Sequence, residues 1–151
     1  MNIRPIQAKD EAAWRALWQG YCRFYEVSLD AKIEDYTWQR IVDATSPVKA
    51  FVAEDLSASP PELVGICNYI LHENTWELSP VCYLEDLFVK PTCRAKGVGQ
   101  AMIDWLVVKM KEQGWSRIYW NTKENNYRAR GLYDKYNPRD AFVRYVIKNT
   151  K

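Results

Sequence analysis

Several stretches of the chain carry apolar residues at three- and four-residue spacing, a pattern that predicts amphipathic helices. In the first of them the repeat runs from Trp14 to Tyr25, and Asp10 is placed to cap it. In the third of these stretches the repeat begins at Val98 and stops before Gly114. Glycine commonly follows the last residue of a helix, so Gly114 marks its C-terminal end. The predicted helices cover residues 11–25, 33–43, 98–113 and 125–133.

Strands are predicted where short runs of β-branched, aromatic and other apolar residues lie between turn residues. These runs are residues 2–6, 50–54, 63–71, 81–89, 116–122 and 141–147. The segment 56–62 fits a hairpin loop, because it is too short and too well flanked to be a domain linker. Hairpins come first and a strand–helix–strand unit follows, which predicts a single α/β domain over residues 1–151.

Composition narrows the classes of function. A net charge of +2 on 151 residues is too small for general affinity to nucleic acid or membranes. One histidine and four cysteines without CxxC spacing argue against a metal site. No segment resembles a signal peptide or a membrane span, so we expect reduced thiols and a soluble, cytoplasmic protein. Seven Trp and ten Tyr are many for this length and suit both a core and a ligand pocket.

The most informative segment is the basic loop between the strand at 81–89 and the helix at 98–113. It contains Gly97 and Gly99, and it brings bare amide groups to a helix N-terminus, where phosphate binds. A P-loop would need the spacing GxxxxGK[ST], and a dinucleotide site would need a third glycine; neither is present. At this point a purely structural glycine turn remains an alternative.

The spacing Arg-x-x-Gly-x-Gly from Arg94 to Gly99 resembles the acetyl-coenzyme-A-binding motif of the GNAT superfamily of N-acetyltransferases. The preceding Tyr-Leu-Glu-Asp-Leu-Phe-Val, residues 83–89, is similar to the same strand in the diamine acetyltransferases and in the yeast histone and D-amino-acid acetyltransferases. The run Asn-x-x-Ala-x-x-Leu-Tyr that ends at Tyr133 matches a second sequence block of the family. The resemblance implies the GNAT fold, a mixed central β-sheet with helices on both faces, and an acetyl-CoA-dependent N-acetyltransferase.

The resemblance also implies where acetyl-CoA binds. Backbone amides of the loop and of the first helical turn would face the pyrophosphate, and the strand before the loop would pair with the pantetheine arm. Leu87 N–H would meet the thioester oxygen, and Asn126 would bond the pantetheine arm, cap its own helix, or do both. For Arg94 and Lys96 the alternative is that they are solvated loop charges. The implied cofactor residues are Leu87, Phe88, Val89, Arg94, Ala95, Lys96, Gly97, Val98, Gly99, Gln100 and Asn126.

Acetylation of an amine needs a base for the ammonium and an acid for the leaving thiolate. By resemblance, Glu85 takes the place of the proposed base, acting through water, and Tyr133 takes that of the general acid. Each has a structural alternative, which is an ion pair at the strand end for Glu85 and ring packing against Leu132 for Tyr133. Strict strand alternation turns Asp86 to the side opposite Glu85, so Asp86 is the weaker candidate for the base.

By resemblance, the amine substrate binds between the first two helices and the sheet. Aromatic faces and a carboxylate attract an ammonium, and the candidate contacts are Tyr21, Tyr25, Glu26 and Trp120. For Tyr21 we favour the other interpretation, a place in the core. We expect a small primary amine, a polyamine or an amino acid as substrate, with no nucleic acid or membrane partner. A protein-lysine acetyltransferase, a non-catalytic acyl-CoA sensor and a homodimer formed through the late strands are open alternatives.

Overall fold

The structure, a computed structural model, describes residues 1–137 and 139–149. The chain divides into two compact units, Met1–Trp120 and Asn121–Lys151. The first unit contains the β-sheet and three long helices, and the second contains one short helix. The strands are β1 (Asn2–Pro5), β2 (Val48–Asp55), β3 (Glu62–His72), β4 (Val81–Val89) and β5 (Ile118–Tyr119), and the helices are α1 (Glu11–Phe24), α2 (Ala31–Val42), α3 (Val98–Gln113) and α4 (Tyr127–Tyr133).

The sheet has the strand order β1-β2-β3-β4-β5. The first four strands are antiparallel to their neighbours. α1 and α2 lie between β1 and β2, the predicted hairpin loop connects β2 to β3, and residues 73–80 connect β3 to β4. β5 is parallel to β4 and is reached through α3, because a parallel neighbour needs a crossover connection. The predicted mixed sheet is therefore confirmed.

The two faces of the sheet carry different helices. Trp14 of α1 is fully buried in a cluster that includes Phe88 of β4 and Val52 of β2. On the opposite face, the ring of Phe51 lies 4.5 Å, centroid to centroid, from that of Trp105 in α3. Adjacent residues of β2 thus serve opposite cores, as the two-residue period of a strand requires. The prediction of helices on both faces is confirmed.

One predicted strand is too long, and another is not formed in the described part of the chain. Of residues 116–122 only Ile118–Tyr119 pairs in the sheet. Residues 141–147 form no strand, and none of β1 to β5 pairs with them in the chain as described. Their apolar alternation suits a strand, but a strand exists only where a neighbouring backbone completes its hydrogen bonds. The large apolar side chains of this segment, such as Phe142 and Ile147, are exposed.

Asp10 stands at the start of α1 but its side chain does not cap that helix, which corrects the prediction. Its carboxylate accepts from the Gln7 N–H at 2.8 Å and from the Arg4 guanidinium at 2.7 and 3.0 Å. Arg4 also donates to Glu54 of β2 at 3.2 Å. Burial works against the ionised carboxyl, but the hydrogen bonds from Arg4 and Gln7 outweigh it, so the pKa of Asp10 is lowered. This cluster ties β1, the turn before α1 and β2 together.

The described part of the chain offers neither a helix that could span a membrane nor a cluster of metal ligands. Helices that combine the length and the apolar character needed to cross a bilayer are absent from 1–137 and 139–149. Within the same ranges, no group of three or more His, Cys, Asp and Glu side chains could hold a metal ion.

Candidate acetyl-transfer site

The loop between β4 and α3 presents backbone amides at the start of a long helix. Its backbone is left-handed at Ala95 (φ 62°) and again at Gly97 (φ 79°), the N-cap residue of α3. Left-handed residues in such a turn direct successive N–H groups toward one side, which favours an anion. The first turn of α3 carries no acidic residue to compete with it. Val98 is buried and Gly99 half-buried, whereas Ala95, Lys96, Gly97 and Gln100 are exposed.

The two cations of the loop differ in their surroundings. Arg94 Nε donates to the Val89 carbonyl at 3.0 Å, and the guanidinium lies 5.2 Å from the ring centroid of Phe24 and 5.4 Å from that of Phe88. Arg94 is therefore a half-buried cation held in place by β4 and two aromatic rings. Lys96 is exposed and matches the alternative of a solvated loop charge.

β4 has one paired backbone edge and one open edge. On the β5 side its pairing ends at Tyr83, and no strand among the described residues covers the edge beyond that point. The Lys90 N–H donates to the Val64 carbonyl of β3 at 2.8 Å. Because backbone groups alternate along a strand, the N–H groups of Leu87 and Val89 face the open side. This edge is suited to pair with an extended ligand.

A β-bulge interrupts the pairing of β4 with β3 at Glu85. Leu84 and Asp86 pair with adjacent residues of β3, so Glu85 between them is the extra residue. A bulge interrupts the strict alternation on which the prediction of opposite sides for Glu85 and Asp86 depends, and their opposite sides stay a prediction. Burial raises the pKa of the Tyr21 phenol, and the charges of both Asp86 and Glu85 raise it further. Glu85 is exposed, whereas Asp86 is 8% exposed.

Asp86 belongs to a buried chain of hydrogen bonds on the α1 face of the sheet. Trp14 Nε1 donates to Asn68 Oδ1 at 3.2 Å, and Asn68 Nδ2 donates to Asp86 Oδ2 at 3.1 Å. Burial raises the pKa of the nearby Tyr21 phenol, and the charge of the same carboxyl group raises it further. Burial raises the pKa of Asp86, and the hydrogen bond from Asn68 partly offsets that rise. Tyr21 is therefore not only a core residue.

The other predicted substrate contacts lie in different surroundings. Tyr25 is half-buried with its ring centroid 4.8 Å from that of Tyr21, and burial followed by the charge of Asp86 raises its pKa. Glu26 is exposed in the turn after α1, with a left-handed φ of 55° that ends the helix. Trp120 is half-buried directly after β5. Of these three residues, Tyr25 lies close to the hydrogen-bonded chain that contains Asp86.

An aromatic cluster borders Glu85 where β4 and β5 separate. The rings of Tyr83 and Tyr119 stack with centroids 5.0 Å apart. His72 Nδ1 lies 2.7 Å from the Glu73 carbonyl, so this nitrogen carries the proton, and Nε2 accepts from the Tyr119 hydroxyl at 3.0 Å. Burial raises the pKa of Tyr119, and the charges of neighbouring groups, Glu85 among them, contribute.

α4, in the second unit, carries the remaining two predicted residues. Asn126 is its N-cap: Oδ1 accepts from the Ala129 N–H at 3.4 Å, and Nδ2 donates to the Thr122 hydroxyl at 3.2 Å. Tyr133 is the last residue of α4 and is half-buried. The predicted capping by Asn126 is confirmed. The contact of Asn126 with pantetheine and the acid role of Tyr133 stay predictions.

Sequence reasoning missed Asn68 and gave too little weight to Asp86. One signal was present, because Asn68 is an amide in the middle of an otherwise apolar run, and a buried amide needs partners. The bulge gave no comparable signal, since the strand at 81–89 contains no glycine, the residue whose presence inside a strand suggests a bulge.

Comparisons with known proteins agree with this geometry. The model of the acetyltransferase (GNAT) family matches residues 14–137. The D-amino-acid N-acetyltransferase HPA3 of Saccharomyces cerevisiae is 32% identical over 133 residues, which are 88% of this chain and 81% of that protein. The thialysine N-epsilon-acetyltransferase of Bos taurus is 33% identical over 93 residues, 59% of this chain and 54% of that one. The solved aminoglycoside N-acetyltransferase AAC(6')-Iy in complex with CoA has the same fold, with a TM-score of 0.80 at 19% identity over 99% of this chain and 95% of that one.

With amides gathered at the N-terminus of α3 and an open strand edge beside them, the first unit has the layout of a transferase that uses acyl-CoA. Because the family match spans most of its length, the chain belongs to the GNAT family of acetyltransferases. It is an N-acetyltransferase with acetyl-CoA as the acetyl donor. The loop around Gly97 and the edge of β4 fit this donor, whose pyrophosphate is anionic and whose pantetheine arm is extended.

Proposed function

We propose that the amine substrate is a small primary amine or an amino acid, bound on the α1 face of the sheet near Tyr21, Tyr25 and Glu85. The observation that carries the proposal is the pair of carboxylates, Glu85 exposed and Asp86 buried, beside two phenols. Carboxylates and aromatic faces attract an ammonium. The names of two relatives, a D-amino-acid and a thialysine acetyltransferase, support a small substrate.

Glu85 is the base in this proposal. It takes a proton from the ammonium through a water molecule and so frees the nitrogen lone pair for attack. Its exposure at the bulge supports this role, because the carboxylate is accessible to water and to an arriving amine. Its influence on the phenols of Tyr21 and Tyr119 supports a position between α1 and β5.

Residues of β4 and of the following loop bind the donor in this proposal. Bound acetyl-CoA supplies the acetyl thioester. Leu87 N–H donates to the thioester oxygen and stabilises the negative charge that develops there. Val89 N–H and Asn126 bond the pantetheine arm, and the amides of residues 95–100 face the pyrophosphate. Arg94 and Lys96 add positive charge.

Tyr133 is the general acid in this proposal. As the nitrogen–carbon bond forms and the carbon–sulfur bond breaks, the phenol proton of Tyr133 passes to the departing sulfur. The second proton that the nitrogen loses passes through water to the phenolate and restores the phenol. The match of the run ending at Tyr133 with the family's sequence block supports this role. Residues 1–151 act as one N-acetyltransferase domain in the same proposal.

The release of CoA thiol from acetyl-CoA over a panel of amines tests the proposal. The panel contains D-amino acids, thialysine, a diamine, an aminoglycoside and a histone peptide, with a reaction lacking amine as the control. We expect a small amine or amino acid to exceed the peptide by at least about tenfold in kcat/KM, a ratio within the range of pocket discrimination.

Two results would contradict the proposal. Turnover with the histone peptide alone would favour a protein-lysine acetyltransferase. Binding of acetyl-CoA without thiol release for any amine would favour a sensor.

A further inference from the structure

Phe24, the last residue of α1, lies against a cation of the loop between β4 and α3. The guanidinium of Arg94 lies 5.2 Å from the ring centroid of Phe24 and 5.4 Å from that of Phe88. One cation therefore lies beside aromatic rings from two different elements. Phe88 is 6% exposed, whereas Phe24 is 51% exposed, so burial in the core does not account for the position of Phe24.

The sequence of α1 lets this helix approach the end of β4 closely. An added Cβ at Gly20 would meet Cζ of Phe88 at 2.9 Å and Cε1 at 3.0 Å, so the ring occupies the space that a side chain would need. Phe24 follows Gly20 by four residues and thus lies on the same face of the helix. The glycine admits the Phe88 ring, and one turn later the ring of Phe24 lies beside Arg94.

Arg94 is held at the open edge of β4. The Lys90 N–H donates to the Val64 carbonyl of β3. Because the peptide between Val89 and Lys90 is planar and trans, the Val89 carbonyl points the opposite way, toward the open edge. Arg94 Nε donates to that carbonyl at 3.0 Å. The cation therefore stands on the side of the strand that suits the pantetheine arm, in the loop whose amides suit the pyrophosphate.

We propose that Phe24 is a positioning residue for acetyl-CoA, because its ring holds the Arg94 guanidinium where that cation meets the pyrophosphate. The inference deepens the proposed function and rests on it for the contact between Arg94 and the donor. An arginine that is ordered before the ligand arrives loses less side-chain freedom on binding, so the affinity for the anion rises. Phe24 acts through Arg94 and does not itself touch the donor.

Titrations with two ligands measure this role without turnover. CoA carries the pyrophosphate, whereas pantetheine has the same extended arm and no phosphate. The Kd of CoA is measured by calorimetry, and that of pantetheine by NMR titration of the backbone amides. Phe24→Leu should raise the Kd of CoA about fourfold, the usual size of an aromatic–cation contact at a partly exposed site. The Kd of pantetheine should stay the same, because it has no anion for Arg94.

Further variants separate positioning from packing. Phe24→Tyr keeps the ring and should retain the wild-type Kd of CoA. Arg94→Gln should raise that Kd about tenfold, as the loss of one hydrogen bond to a charged group predicts. Phe24→Leu should add nothing to Arg94→Gln in the double variant, because residues that act through one group are not additive. Tyr36→Leu is the matched control, since it removes an exposed ring 4.5 Å from the Arg40 guanidinium of α2, and it should leave both Kd values unchanged.

The outcomes decide the inference separately from the proposed function. If Arg94→Gln weakens CoA binding and Phe24→Leu does not, the positioning role is overturned. Losses that multiply in the double variant, or an equal loss for pantetheine, overturn it as well. Phe24→Met, which also lacks the ring, takes the place of Phe24→Leu if the latter does not fold. An unchanged Kd of CoA in Arg94→Gln would overturn the inference together with the place of Arg94 in the donor site, whereas failure of the wild type to bind CoA would overturn the donor site itself.

Discussion

At the scale of single residues, Glu85 and Asp86 are neighbours whose surroundings suit them to different tasks. Glu85 is the exposed extra residue of a bulge, whereas Asp86 is buried and accepts a hydrogen bond from Asn68. A base that receives a proton from an arriving ammonium must be reachable by substrate or water. Exposure therefore supports the proposal of Glu85, rather than Asp86, as the base.

Replacement of Glu85 by Gln should lower kcat/KM about a hundredfold near neutral pH, in line with the usual contribution of a positioned base. The loss should shrink as the pH rises toward the amine pKa of about 10.4, because a growing share of the amine is already deprotonated. Profiles of kcat/KM against pH measure both effects. Glu112→Gln, at an exposed position near the end of α3, is the control. A loss that stays constant across pH would rule out the base role.

Replacement of Tyr133 by Phe should lower kcat about a hundredfold, since the departing thiolate loses its proton donor. The Kd of acetyl-CoA, measured by calorimetry, should stay within about twofold, because the hydroxyl serves the chemical step. Tyr127→Phe, on an exposed side chain of the same helix, is the matched control. An unchanged kcat in the Tyr133 variant would leave that residue with a packing role only.

At the scale of elements, α3 has a left-handed glycine at each end. Gly97 (φ 79°) is its N-cap residue and Gly114 (φ 70°) its C-cap residue, and an added Cβ at either position meets no atom within 4 Å. A side chain at either end therefore strains the backbone without a clash. Only Gly97 lies beside the amides that we propose for the pyrophosphate. A comparison of variants at the two glycines therefore separates an effect on acetyl-CoA binding from an effect on stability.

Valine at position 97 or at position 114 should lower the free energy of unfolding by about 1–2 kcal/mol, the usual penalty of a left-handed L-residue. Only the valine at position 97 should raise the Kd of acetyl-CoA, by at least about tenfold, because it displaces the amides that face the phosphate. Urea unfolding and calorimetry give the two quantities. Equal dissociation constants for the two variants would refute the loop assignment.

The sequence predicted the elements whose signals are local. Periodic apolar residues placed α1 to α4 and the strands β1 to β4, and the glycine loop was found from its own spacing. β5 was predicted too long and the strand at 141–147 was wrong, because a strand depends on the partner beside it. The bulge at Glu85 depends on how β4 pairs with β3, and the contact of Asn68 with Asp86 joins two strands that are separate along the chain. Neither could therefore be predicted from a local pattern.

At the scale of the molecule, an ion cluster holds the first unit together near its N-terminus. Arg4 bonds both Asp10 and Glu54, and the side chains of Arg4 and Asp10 are 15% and 6% exposed. Because the folded state lowers the pKa of Asp10, the ionised carboxylate stabilises the fold. That contribution is present above the unfolded pKa of about 3.9 and is lost as the pH falls through the lower folded value.

Asp10→Asn should lower the free energy of unfolding by about 2–4 kcal/mol near neutral pH, since it leaves Arg4 without its main partner. The difference from the wild type should begin to shrink below about pH 3.9, where the unfolded carboxyl takes up a proton, and should be smallest below the lower pKa of the folded state. Urea unfolding at several pH values measures it, with Asp104→Asn as the control for a change of charge. A difference that does not depend on pH would contradict this assignment.

The most direct test of function follows the acetyl group itself. The wild type is incubated with acetyl-CoA labelled in the acetyl carbons and with the best amine of the panel, and the amine is analysed by mass spectrometry. We expect labelled N-acetyl product in an amount equal to the CoA released, and a large loss of both in Gly97→Val. Release of CoA without labelled amine, or undiminished product in Gly97→Val, would contradict transfer from a donor held at the N-terminus of α3.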